Sequence, residues 1–461
     1  MTQPFVSQWP FWRSSGWWFG STFGLFYLYL HYCASGTTEF QYDAQAYWNQ
    51  AYQLSEGHLL GERVHGSSLA LLYYPAVLMV RHAGLTDTEV VQLMGAAMAA
   101  LLFGVVAPAL WQTVVVGSSL SGYRRGIFVG LGFLFWRDYF RFPLSDFPGL
   151  LALLGALLTA SRSHRRLPGL GWVLTSGVLL ALAVNLRPIY LLAVPAVVGV
   201  VLWHRTAVVS RRALVISLLV LFSGFSVASL PQLLLNIDRF HSYSPLVDGG
   251  GLLLWQLNKG LVIQKYETNV GTGYPVAQVI FRDVAGQALL SHDSLLVIPS
   301  RRAYLLFAMR HPVDMIALYA RHLFNGLDVQ YTSPYIVLVQ QSTVGLALVN
   351  YTLQFGCLLL LFSRRAGNRL TTTQGLCLLA VLLPCVLVAP FAMECRFLLA
   401  LHVLLYAVLC FGWPAGGPWV SLAPPVRWRL VSAYVLYMLL CLALSSATQA
   451  TLVGQPKLFQ P

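Results

Sequence analysis

Asp43, Asp146, Arg187 and Arg396 are the residues of this chain whose types together suit one kind of chemistry. A carboxylate can take the proton of an attacking hydroxyl. A guanidinium can stabilise a departing phosphate, with a bidentate geometry that lysine lacks. The four therefore offer proton transfer and anion binding. Glu394, Asp138, Arg63 and His65 are candidate supporting groups. Only 10% of the 461 residues are charged, so each of these groups has to be accounted for.

Each also has a plainer reading. Asp43, in "YDAQAYWNQAYQL", can cap a helix that begins at Ala44. Asp146 precedes Phe147-Pro148 and suits an N-cap with proline in the first turn. Asp138 has Arg141 three residues on, the spacing of a local ion pair. Arg187 can reach lipid headgroups while its stem lies along apolar surface. Glu394 and Arg396 are two apart and would not face each other on one helix. His58 and His65 read as loop histidines. There is no D-x-D and no His/Asp cluster at metal spacing, so no metal or other cofactor is expected, with a divalent cation as the alternative.

The elements that must position these groups are membrane helices. The chain is 57% hydrophobic, whereas a soluble chain would carry roughly 25% charge. Apolar stretches close to the roughly 20 residues of a membrane helix recur from end to end. The expected fold is an all-α polytopic membrane protein with eleven spans: 17–34, 91–116, 126–142, 147–160, 171–186, 189–203, 213–235, 342–362, 371–391, 397–412 and 430–448. Residues 17–34 lack a small-residue cleavage site and read as a retained span. The net charge of +13 reflects basic loops that set topology, and no basic soluble domain exists to hold nucleic acid. The seven cysteines show no C-x-x-C spacing, and most sit inside apolar runs.

Orientation follows from the short loops. Arg124-Arg125, "SRSHRR" (161–166), "HRTAVVSRR" (204–212), "RRAGNR" (364–369) and "RWR" (427–429) all fall on the cytoplasmic side if the N-terminus does. This requires the stretch 171–203 to cross twice, turning at Arg187-Pro188, where proline disfavours helical geometry in the residue before it. Two segments then lie on the outer face. Residues 35–90, within an N-terminal membrane core of 1–235, hold an amphipathic helix from Ala44 to Leu54. They also hold "LALLYYPAVLMV" (69–80), read as interfacial or re-entrant. Residues 236–341 hold amphipathic helices and a few short strands, and 342–461 return to membrane helices. Asp43, Asp146, Arg187, Glu394 and Arg396 all emerge at the outer end, as do Glu56, Glu62 and Arg63. The spans themselves carry few midplane charges, which disfavours an ion-coupled transporter or flippase.

Four stretches carry a family resemblance: "YDAQAYWNQAYQL", "PLSDFPGLLALLGAL", "LLALAVNLRPIYLLAVPA" and "MECRFLLALHVLLYAV". In this order and at this shared outer end, they resemble the integral-membrane GT-C glycosyltransferases, the superfamily of protein O-mannosyltransferases and lipid A aminoarabinose transferases. The resemblance implies transfer of a sugar from a polyprenyl-phosphate donor to a glycan, lipid or protein acceptor at the outer face of a bacterial plasma membrane. An endoplasmic reticulum membrane with a luminal site fits the same topology. It implies Asp43 and Asp146 as catalytic carboxylates and Arg187 and Arg396 as donor-phosphate ligands. The family often has two adjacent acids in the first outer loop, whereas this chain has Asp43-Ala44. An O-antigen-type polymerase or ligase is the alternative enzyme, and a non-catalytic scaffold the alternative outside enzymes.

Overall fold

The computed structural model describes residues 11–34, 39–58, 66–115, 120–163, 168–206, 210–247, 251–271, 278–338, 343–363, 370–413 and 424–453. Helices occupy all eleven apolar stretches: Phe11–Leu28, Asp87–Val114, Gly122–Trp136, Asp146–Ser161, Pro168–Leu186, Val194–Thr206, Arg211–Phe240, Val344–Ser363, Thr372–Leu387, Leu399–Gly412 and Pro424–Gln449. Among the described residues, seven helical runs are long and apolar enough to cross a membrane: Asp87–Val114, Gly169–Leu186, Pro188–Arg205, Arg211–Phe240, Val344–Leu361, Cys395–Gly412 and Val426–Gln449. Asp146–Ser161 and Thr372–Leu387 are apolar but shorter. Arg211–Phe240 and Val426–Gln449 are among the most apolar of the runs, yet most of each lies unburied, with Leu219, Val227 and Leu436 well exposed. A face of that size suits a hydrocarbon surround rather than water.

The helices share two poles. At one, Arg205 donates to Ser163 O (3.1 Å) and Ser217 Oγ (2.9 Å), Arg124 donates to the carbonyls of Phe411 and Trp413, and Gln374 donates to Val114 O. At the other stand Asp146, Arg187 and Arg396. The break expected at Arg187 is present. Pro168–Leu186 ends there, Arg187 is extended (φ −142°, ψ 97°), and a 3-10 turn Pro188–Ala193 leads into Val194–Thr206. Arg205 and Gly169 both lie against Ser163 while Arg187 lies against Asp146, so the two helices form an antiparallel hairpin.

The 236–341 segment caps the Arg187 pole. Helix Arg211–Phe240 runs five residues into it, past the expected boundary at 235. A helix Leu252–Val262 leads directly into strand β1 (Ile263–Asn269), which pairs antiparallel with β2 (Gln278–Arg282). On its other side β1 pairs parallel with β3 (Tyr335–Ile336), through Thr268↔Tyr335 and Asn269↔Ile336. Helices Val284–His292, Arg301–Arg310 and Pro312–Leu327 complete the segment. Two contacts seat this segment on the helices. Tyr266 N donates to Met393 O at 3.1 Å, beside Glu394 and Arg396. Gly260 packs so closely on Pro390 that a Cβ would collide with its carbonyl. The stretch 69–80 is part of a continuous helix, Ser67–Ala83, with Leu69, Tyr73, Ala76 and Val77 buried in the main core.

Candidate functional site

Four distant parts of the chain converge at the capped pole. Asp43 lies in the first turn of Tyr42–Ser55, and Asp146 opens Asp146–Ser161. Arg187 sits at the hairpin turn, and Glu394 and Arg396 flank the start of the 3-10 turn Cys395–Leu398. Arg396 is the centre. Its Nη2 lies 3.3 Å from Asp43 Oδ2 and its Nη1 3.6 Å from Asp146 Oδ2, and it is clasped by Glu394 through Nε and Nη2. Arg187 Nη1 lies 2.9 Å from Asp146 Oδ1. The Asp146 side chain is 1% exposed and that of Asp43 is 45% exposed, so the two carboxylates occupy a buried and an open position on one guanidinium.

Four plainer readings give way to this geometry. Asp43 is not the cap of its helix. The helix begins one residue earlier, Gln41 stands at the cap position, and no side-chain cap bond is made. Asp146 is the first helical residue rather than the N-cap; Ser145 precedes it, again without a side-chain cap bond. Glu394 and Arg396 do face each other, because Glu394 is extended (φ −115°, ψ 145°) and not on a helix. Arg187 meets Asp146 rather than lipid, and Gly149 makes this approach feasible: a Cβ there would lie 2.9 Å from Arg187 Cγ.

The opening of the site is held by backbone geometry. Tyr42 has φ +51°, the left-handed region that costs a non-glycine residue of order 1 kcal/mol or more. Tyr335 of β3 holds it there: its hydroxyl donates to Gln41 O at 2.9 Å and accepts from Ala44 N at 3.3 Å. Both oxygens of Asp146 are within ion-pair range of guanidiniums, yet neither is aligned as a hydrogen-bond acceptor. Nearby, burial pushes the Tyr47 hydroxyl up to about 12, with Asp43 adding to the effect, so Tyr47 stays a neutral donor at neutral pH.

β1 adds groups that the sequence reading did not single out. Lys265 and Glu267 alternate onto one face of the strand, with Nζ–Oε1 at 3.5 Å, and both are buried. Burial, with Glu394 nearby, pushes the Glu267 carboxyl up to about 7 against the pull of Lys265 and Arg396. Burial opposes the charge on Lys265, but Glu267 and Asp328 outweigh it and hold the ammonium above its ordinary value. Lys259 stacks its Nζ 3.8 Å from the Trp255 ring centroid and 5.6 Å from that of Tyr266. The signal for Lys265 and Glu267 was the alternation in "VIQKYETN", which marks a strand whose charged residues share a face.

The supporting candidates separate. Asp138 accepts from Tyr29 Oη (2.8 Å) and Thr332 Oγ1 (2.6 Å), with Arg137 Nε at 3.9 Å. It ties the first helix and the outer segment together rather than joining the Arg396 cluster. Glu56 pairs with Arg81 at 2.8 Å on the surface. Glu62, Arg63 and His65 lie outside the described residues. Among the described residues, no group of three or more His, Cys, Asp or Glu side chains is arranged to hold a metal ion. No family model, no curated protein and no solved structure matches the chain.

Proposed function

We propose that this protein is a membrane glycosyltransferase of the GT-C type, moving a sugar from a polyprenyl-phosphate donor to an acceptor hydroxyl at the non-cytoplasmic face. One observation carries the reading: Asp43, Asp146, Arg187 and Arg396, drawn from four separate stretches, meet in one ion-pair cluster. In the proposed membrane arrangement the chain crosses eleven times with its N-terminus in the cytoplasm, and 236–341 covers the site from outside. The basic residues at the opposite pole support that orientation.

In the proposed reaction the acceptor oxygen attacks the anomeric carbon. The bond from that carbon to the phosphate oxygen breaks, and polyprenyl phosphate leaves with the bonding pair. The acceptor proton passes to Asp43, the more open carboxylate. Arg187 and Arg396 stabilise the charge that develops on the phosphate. Asp146, between them, holds the two guanidiniums in place, and Glu394 fixes the other edge of Arg396. An apolar cavity of about 170 Å³ runs along helix Leu399–Gly412 from Ala400 toward Val114 and Gln374 at the basic pole, an apolar space within the helices that a prenyl chain could use. The test is transfer of radiolabelled sugar from a polyprenyl-phosphate sugar to endogenous acceptors by membranes containing the protein. Transfer above that of protein-free membranes supports the reading. Substrate flux across sealed vesicles without transfer would replace it with transport.

A further inference from the structure

A second site lies away from the Arg396 cluster, where the last apolar helix ends against the outer segment. A cavity of about 400 Å³ opens between β2, helix Pro312–Leu327 and the final turns of Pro424–Gln449. Arg282, Asp283 and Arg321 form its charged wall; Phe324, Leu444 and Ala447 belong to its apolar wall. Asp283 is consumed locally: it accepts Arg321 Nε (2.9 Å) and Nη2 (2.8 Å) and caps its own helix through Gly286 N. The wall therefore carries two guanidiniums and one carboxylate, which Arg321 already engages. Arg282 Nε is buried with no hydrogen-bond partner among the described residues, a costly arrangement unless a ligand supplies the acceptor.

The placement says which acceptor fits. Leu444, Ala447 and Thr448 are in the last turns of a helix apolar enough to cross a membrane, so the cavity stands at the level of lipid headgroups. Below its mouth Leu436, Leu440 and Leu444 form an exposed stripe at four-residue spacing along that helix. A stripe of that kind can receive an acyl chain while the cavity receives the head. Arginine is suited to phosphate through paired charge-assisted bonds, and basic pockets at the ends of membrane helices take anionic headgroups. We propose that this cavity binds the phosphate group of an anionic membrane lipid, with Arg282 as its principal ligand and the Arg321–Asp283 pair fixing its edge. The inference is independent of the transferase reading.

The test uses the purified full chain in nanodiscs of phosphatidylcholine with or without phosphatidylglycerol, with bound lipid counted by native mass spectrometry after release. The wild type should retain phosphatidylglycerol in preference to phosphatidylcholine. Arg282→Gln should lower that retention roughly tenfold, the scale of one hydrogen bond to a charged group. Ala447→Phe, which blocks the mouth without changing charge, should lower it as well and decides the matter if Arg282→Gln fails to fold. Inorganic phosphate added to phosphatidylcholine discs should leave Arg282 as exposed to a guanidinium-modifying reagent as before, whereas phosphatidylglycerol should protect it. Protection by phosphate alone would overturn the lipid assignment in favour of a soluble anion. Equal phosphatidylglycerol retention by the wild type and both variants would overturn the site.

Discussion

Arg396 and Asp43 are 353 residues apart in sequence, and their side chains meet at 3.3 Å. The same guanidinium also holds Glu394 and faces Asp146. Removing it would leave three carboxylates facing one another, two of them buried. Arg396→Ala should therefore abolish transfer and destabilise the protein by about 3 kcal/mol or more, the range for breaking a buried ion pair from one side. Arg396→Lys should fold better yet remain nearly inactive, because a single ammonium cannot span three acceptors. Thermal unfolding in detergent, read beside transfer activity, separates the two effects. Wild-type activity in Arg396→Lys would contradict the role given to the fork.

Gly149 tests the second arginine without touching a charge. A Cβ at this position meets Arg187 Cγ at 2.9 Å and Tyr190 Cε2 at 3.3 Å. Gly149→Ala should push Arg187 away from Asp146 and lower turnover roughly tenfold, with insertion intact, since small misplacements at a reacting centre are expensive. An unchanged rate would mean that the Arg187–Asp146 contact is not needed.

The pH dependence of stability should carry the mark of Glu267. Its carboxyl is raised to about 7 by burial first and by Glu394 second, against an ordinary value of 4.5. Between those values the folded chain holds a proton that the unfolded chain does not. The resulting stabilisation is full below about 4.5 and is lost as pH rises through about 7. Glu267→Gln should flatten apparent unfolding temperature across that window, by an amount on the order of 1–3 kcal/mol at its upper end. A variant whose profile tracks the wild type would remove Glu267 from the account.

Much of this arrangement was legible in the sequence, for a physical reason. Charges are scarce in a membrane chain, so Asp43, Asp146, Arg187, Glu394 and Arg396 stood out, and the apolar stretches around them put all five at one pole. Arg187-Pro188 marked the hairpin because proline forbids an easy continuation. The local roles were less legible. Whether Asp43 or Asp146 caps a helix turns on a one-residue shift of the helix start, which local sequence specifies weakly. The Glu394–Arg396 contact depended on an extended backbone at Glu394 that a helix-based spacing rule does not describe. Lys265 and Glu267 reach the site only because β1 bonds to Met393, a long-range pairing with no local signature.

The two poles can be assigned to sides of the membrane. Cys33 is the exposed cysteine among otherwise buried ones, so Cys33→Ser gives a quiet background for labelling. A cysteine replacing Arg211 should react with an impermeant maleimide only from the cytoplasmic side, and one replacing Ser294 only from the outside. Labelling of both from the same side would contradict the eleven-span arrangement.

The most direct measurement is sugar transfer by purified, correctly inserted Asp43→Asn. Asparagine is close to isosteric, and Asp43 is partly exposed and makes no cap bond, so the fold should survive. It cannot take a proton as a carboxylate does. The account predicts normal unfolding temperature with turnover reduced roughly 100-fold or more, the scale of a lost general base. Full transfer activity in the folded Asp43→Asn protein would contradict it and move the base to Asp146.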